Sequence, residues 1–187
     1  ESGPLGVFMG YDFHLSANGP SLIEINTNAG GAFLNAALAN AQRACCIEME
    51  TCMDLNDDND KFDWAFWNMF LNEWHLQGRA GSPTRVAIVD EQPEEQYLYP
   101  EFQLARDFFE RHAVEAVIVD AAALEYDGTR LLASGKPVDM VYNRLVDFVL
   151  DNPAHAALRQ AYLDDAVVLT PHPGVHALFA DKRNLIV

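Results

Sequence analysis

After Pro83 the chain alternates short apolar runs with amphipathic stretches, and this alternation constrains its fold more than any other feature. RVAIVDE (85–91), VEAVIVD (114–120), VDMVYNR (138–144) and AVVLTP (166–171) are brief, rich in β-branched residues and bounded by acids or proline. Such continuous apolar runs suit strands covered on both faces, as in a parallel sheet. Between them, PEFQLARDFFERHA (100–113) and PAHAALRQAYLDD (153–165) carry helical spacing, with Pro100 near a first turn. Tyr126-Asp127-Gly128 marks a hairpin within 124–133. Strand, helix and strand in turn predict an α/β domain with a mostly parallel, Rossmann-like sheet flanked by helices. No GxGxxG follows any of these strands, so the dinucleotide fingerprint is missing.

The residues before Pro83 follow another pattern. LGVFMGYDFHL (5–15) and SLIEIN (21–26) flank the turn signal Asn18-Gly19-Pro20 and predict an antiparallel strand pair. AFLNAALANAQRACCIEMETCM (32–53) and FDWAFWNMFLNEWHL (62–76) predict helices, separated by an acidic loop from Asp54 to Asp60. Trp64, Trp67 and Trp74 are expected to anchor the core. Cys45, Cys46 and Cys52 are odd in number and clustered, which suits reduced thiols rather than a disulfide framework. The expected organisation is three-part. Residues 1–83 form a strand pair with helices, 84–174 the Rossmann-like domain, and 175–187 the opening of a following segment.

Charge narrows the partners. Twelve Lys and Arg stand against 28 Asp and Glu, a net charge of -16. Phosphate-rich nucleic acid and anionic membrane surfaces would be repelled on average, so neither is expected as a partner. The apolar runs are far shorter than a membrane span, and no signal-peptide pattern is visible, so a cytoplasmic location is expected. Self-association as a homodimer stays open.

The stretch richest in chemistry is LIEINTNAGG (22–31). Residues two apart on a strand share a face. Ile23 and Ile25 are therefore expected to point into a core, and Glu24 and Asn26 together to the other side. A carboxylate beside an amide oxygen suits a hard cation such as Mg²⁺, which takes few protein ligands and fills its shell with water and phosphate oxygens. Asp12 on the pairing strand is a further candidate ligand. Gly30-Gly31 lets the backbone approach a ligand, and the helix that follows is expected to offer free N–H groups to an anion. The bland alternative is the exposed polar face of a hairpin.

Glu24-Ile25-Asn26-Thr27 followed by Gly30-Gly31 resembles the metal-binding strand of ATP-grasp ligases. More closely, FMGYDFHL…LIEINTNAGG resembles the strand pair of eukaryotic-type, circularly permuted glutathione synthetase. The segments RVAIVDE, 100–113, VEAVIVD and VDMVYNRLVDF resemble that family's substrate-binding domain, which ends in a Tyr-x-Arg strand, and PHPGVHALFADKRNL is similar to the start of its phosphate-contacting segment. The resemblance implies an ATP- and magnesium-dependent carboxylate–amine ligase acting through an acyl phosphate, with small-molecule acid and amine substrates. It implies Glu24, Asn26 and Asp12 as metal ligands, and Lys182 as a contact to the nucleotide. It places Arg144 in a catalytic, substrate-binding role, with Tyr142 beside the substrate. Gly10 and Asp147 stand where the family carries arginine and tyrosine. The chain is expected to be part of a larger enzyme; the competing expectation is a non-catalytic α/β binding module that kept the scaffold.

Other candidates are weaker. Asp54, Asn56 and Asp58 open like a calcium loop, but that frame puts Asn59 where the loop needs Gly and Ala65 where it needs Glu. His172 and His176 are four apart, yet Pro171 and Pro173 favour a turn at His172. His14 shares the Asp12 strand and is expected to be structural. No Gly-x-Ser-x-Gly elbow or Cys–His pairing supports nucleophilic catalysis.

Overall fold

The computed structural model describes residues 3–45 and 58–185. Cys46, Cys52 and the acidic stretch from Asp54 to Asp57 lie outside them, as does the end of the helix expected over 32–53. In chain order the elements are β1 (Gly10–Ser16), β2 (Gly19–Asn26), α1 (Ala32–Cys45), α2 (Asp58–Leu76), β3 (Arg85–Asp90), α3 (Tyr99–Arg111), β4 (Glu115–Asp120), β5 (Leu124–Tyr126), β6 (Leu131–Ala133), β7 (Lys136–Pro137), β8 (Met140–Asn143), α4 (Ala156–Leu163), β9 (Val168–Thr170) and α5 (Pro173–Phe179). The chain is thus mixed α/β, with an antiparallel pair β1–β2, a four-stranded parallel sheet and a small β5–β6–β7 sheet.

The parallel sheet runs β4-β3-β8-β9. Alternate side chains along each strand go to opposite faces, and both faces are covered. Val86, Ile88, Met140, Tyr142 and Val168 meet α2 and α3 through Phe70, Trp74, Phe102, Phe108 and Phe109. Ala87, Val89, Val141 and Leu169 meet α4 and the small sheet through Leu158, Ala161, Leu124, Leu131 and Ala133. This double covering is why the strands read as unbroken apolar runs. The chain leaves β3 through α3 toward one edge and leaves β8 through α4 toward the other. Right-handed crossovers in opposite directions put their helices on opposite faces. The sequence order therefore reverses between β3 and β8. At such a reversal the connections part and leave a crevice at the carboxyl ends of the strands.

The first strand begins later than expected. Residues 5–9 are not in the ladder: Gly6 and Phe8 have φ of +84° and +51°, which turns the chain inward. Val7 is fully buried, and the Leu5 N–H donates to the buried Glu73 carboxylate at 2.7 Å. Glu73 also accepts from Thr170 Oγ1 at 3.1 Å, tying α2 to β9, and burial raises its pKa. The expectation that Ile23 and Ile25 enter a core is corrected. Ile23 is 54% exposed and Ile25 only partly covered, so the strand pair does not bury this face in a core. Trp74 is a buried anchor, whereas Trp64 is 68% exposed.

Candidate functional site

At the carboxyl end of the parallel sheet, Asp90 ends β3 and Arg144 follows β8. Val89 is in register with Asn143, and the Arg144 N–H donates to the Val89 carbonyl at 2.8 Å, so Asp90 and Arg144 emerge side by side. Asp120 stands beside Asp90 at the end of β4. Arg144 is almost completely buried. Its guanidinium lies 5.4 Å from the Tyr142 ring, and its two terminal nitrogens donate to Asn28 Oδ1, to the Ala29 carbonyl at 3.3 Å and to the Asn28 carbonyl at 3.2 Å. Arg144 Nε is buried without an acceptor. Tyr142 is fully buried against Phe8 and Phe70, and burial pushes its hydroxyl pKa up to about 12.

Arg144 thereby bolts the 27–31 loop, which continues directly from β2, onto the end of the sheet. Asn28 Nδ2 adds a bond to the Leu145 carbonyl at 3.1 Å, and the Ala29 N–H donates to Phe8 at 3.0 Å. The approach is close at Gly30, where a Cβ would lie 2.6 Å from Leu98 Cδ1 and 3.2 Å from Arg144 Nη2, so a side chain there would have to push Leu98 aside. On the far side, Thr27 Oγ1 and His176 Nδ1 are 2.6 Å apart, both buried, and His176 stacks on Phe148 at 4.2 Å.

One expectation about this loop is corrected. The N-terminal amides of α1 are not free for a ligand anion. The Phe33 and Leu34 N–H groups donate to the fully buried carboxylate of Glu101, at 3.0 and 2.8 Å. The protein supplies its own anion to the positive end of this helix.

Asp12, Glu24 and Lys182 come together on the strand pair. Asp12 lies directly opposite Glu24 in the ladder. Opposed residues share a face, and two like charges there repel. Lys182 Nζ, from the 3-10 turn Lys182–Leu185, meets Glu24 Oε2 at 2.8 Å, and Glu24 followed by Asp12 raises its pKa. Asn26 shares the Glu24 face, and its Oδ1 also accepts from the Asn28 N–H at 3.0 Å. Among the described residues no three His, Cys, Asp or Glu gather into a metal cage. Asp12, Glu24 and Asn26 are the residues here with oxygens that could serve a hard cation. The carboxylate group and the Arg144 group are joined by the short run from Asn26 to Ala29.

Several residues of this region were not singled out as site candidates from sequence. Asp147 accepts from His155 Nδ1 at 2.8 Å, and His155 Nε2 lies 3.1 Å from Glu91. This buried histidine links the loops that follow β3 and β8. Asp147 is held ionised: burial opposes its charge, but the Asn152 and Asp151 N–H groups and His155 outweigh that and lower its pKa. His172 caps α5 by accepting from the Gly174 N–H at 3.0 Å, so it does not pair with His176 around a metal. His14 is exposed opposite Ser21.

Two titrations at the site oppose each other. Burial, aided by Glu91 and Asp120, raises Asp90 from 3.8 to about 6. Burial, aided by His172 and Arg144, lowers His176 from 6.5 to about 4. As pH rises from about 4 to 6, the unfolded chain has lost the Asp90 proton that the folded chain retains, so this contribution to stability falls. As pH falls from about 6.5 to 4, the unfolded chain takes up a His176 proton that the folded chain refuses, so that contribution falls in the other direction. Each slope is at most about 1.4 kcal/mol per pH unit. Urea unfolding from pH 4 to 7 should show Asp90→Asn gaining on the wild type as pH rises, and His176→Gln gaining as it falls. Difference curves of the same slope would refute the assignment.

Searches of family models and of curated proteins give no match for this chain.

Proposed function

We propose that this chain supplies the metal-binding hairpin and the Rossmann-like substrate layer of an ATP- and magnesium-dependent carboxylate–amine ligase of the glutathione synthetase-like ATP-grasp group. The observation that carries the reading is continuity. Glu24 and Asn26 stand four and two residues before Asn28, which Arg144 holds at the carboxyl end of the parallel sheet. This continuity supports a reading in which groups suited to a cation and to a carboxylate act in one frame.

A carboxylate becomes reactive toward an amine once phosphoryl transfer has turned one of its oxygens into part of a leaving group. Magnesium, when bound, neutralises phosphate charge. Asp12, Glu24 and Asn26 offer the oxygens that would hold it. Lys182 offers a point charge to a phosphate. Arg144 orients the loop through its terminal nitrogens; its one donor without an acceptor, Nε, is itself buried, so it would meet a substrate carboxylate only once the loop is displaced. Tyr142 supports the guanidinium through its ring face. The competing reading, a binding module without catalysis, draws on Glu101, which already fills the positive end of α1.

Glu24→Gln separates the two. Glu24 is partly exposed, so the melting temperature should change little. Calorimetric titration of the full-length protein with Mg-ATP should show affinity reduced on the order of a hundredfold, as a hard cation loses a charged oxygen. Unchanged affinity would favour the binding module.

A further inference from the structure

We infer that His155 is a proton-operated latch: a proton on its Nε2 holds the loop after β3 against the loop after β8, and loss of that proton lets the two part. The latch is independent of the ligase reading and would serve an enzyme or a binding module alike.

His155 is completely buried, and its two ring nitrogens face carboxylates from different loops. Nδ1 lies 2.8 Å from Asp147 Oδ2, after β8, and Nε2 lies 3.1 Å from Glu91 Oε1, after β3. Asp147 also takes the Asp151 and Asn152 N–H groups and is held ionised, so it can only accept. While Asp147 is ionised, Nδ1 must therefore carry the hydrogen. A neutral ring is then the Nδ1–H tautomer, with its Nε2 lone pair turned toward the Glu91 carboxylate. Two acceptors at that separation repel; a proton on Nε2 makes the contact attractive. The contact is not aligned as a hydrogen bond, so it depends on charge. Asn152 Nδ2 adds a bond to Glu91 at 3.3 Å that does not titrate. The other charged groups around the latch are Asp90, which accepts the Glu91 N–H at 2.9 Å, and Asp120. Asp120 caps the 3-10 turn Ala121–Ala123, which packs against the Pro153–His155 turn, and it accepts the Gln92 N–H at 3.0 Å. Arg159, one turn along on α4, is exposed.

Two-bond nitrogen–proton spectra read the ring, whose signal is the one that Glu91→Gln displaces. From roughly pH 5 to 8, where histidines change charge, it should pass from doubly protonated to the Nδ1–H tautomer. Hydrogen-exchange protection factors at Glu95 and Gln96, whose amides bond within the loop after β3, should fall about fivefold over that range, the scale of a half-exposed ion pair. Glu91→Gln, whose amide can donate to a neutral Nε2, should stay protected throughout. His155→Asn should be poorly protected throughout. Asp90→Asn removes the neighbouring carboxyl and should keep the wild-type response. Circular dichroism checks folding; if His155→Asn does not fold, the tautomer and Glu91→Gln still decide. A neutral ring protonated on Nε2, wild-type protection that ignores pH, a response that survives in His155→Asn or Glu91→Gln, or one that vanishes in Asp90→Asn would each overturn the latch.

Discussion

Phe108→Ala is expected to destabilise the chain by about 4 kcal/mol, the scale for emptying a buried aromatic site. Phe108 is 1% exposed on α3, at the place where α1, α2 and α3 meet. Its ring has neighbours on all three: Phe33 at 5.2 Å, Phe70 at 6.1 Å, and Phe109 and His112 at 5.2 and 4.9 Å. Three helices cannot all close on one vacancy, so the cavity term should persist in addition to the lost transfer energy. Urea unfolding measures it. A loss below about 1.5 kcal/mol would mean that the helices collapse onto the space, and that this layer is less tightly fixed than its edge-to-face ring contacts imply.

Arg144→Met should cost about 3 kcal/mol and, more tellingly, free the 27–31 loop. The substitution keeps much of the stem but removes every donor to Asn28 Oδ1 and to the carbonyls of Asn28 and Ala29. Partly buried acceptors without donors carry the full desolvation penalty. Arg144→Lys should recover little, since one ammonium cannot reproduce a planar fork that reaches several acceptors at once. Hydrogen exchange should show faster exchange at Asn28 and Ala29, with β3 and β4 unchanged. Equal protection in the variant would assign the loop's order to Thr27–His176 and Asn28–Leu145 instead.

The parallel sheet was legible because each of its strands is covered on both faces, which leaves apolar runs that composition alone can mark. Asp90 and Asp120 were visible as acids closing those runs. The strand order was not visible, because it depends on which helix covers which face. The hairpin was legible from Asn18-Gly19, but the burial of Ile23 and Ile25 was misjudged: alternation reports which residues share a face, not whether anything covers it. The candidate site was singled out from residue type and spacing at Glu24 and Asn26, and from a family resemblance at Arg144. The grip of Arg144 on Asn28 spans 116 residues, and Glu101 reaches Phe33 from 68 residues away. No local spacing encodes such contacts. Asp147 stood out only as a departure from a family pattern, and its bond to His155 required coordinates.

Among the described residues, the strand pair is fastened at the end away from its turn. From Glu24 to Ala29 it is tied to Lys182, His176, Arg144 and Leu145, while the turn at Ala17–Asn18 stands in solvent. Seven residues of strand make an arm of about 20 Å at roughly 3.3 Å per residue. A tilt of about 10° around the fastened end would sweep the tip through about 4 Å, yet it would move Asp12 and Glu24, two residues from the pivot, by only about 1 Å. Like the blade of a lever close to its fulcrum, the carboxylates keep their aim while the free end travels.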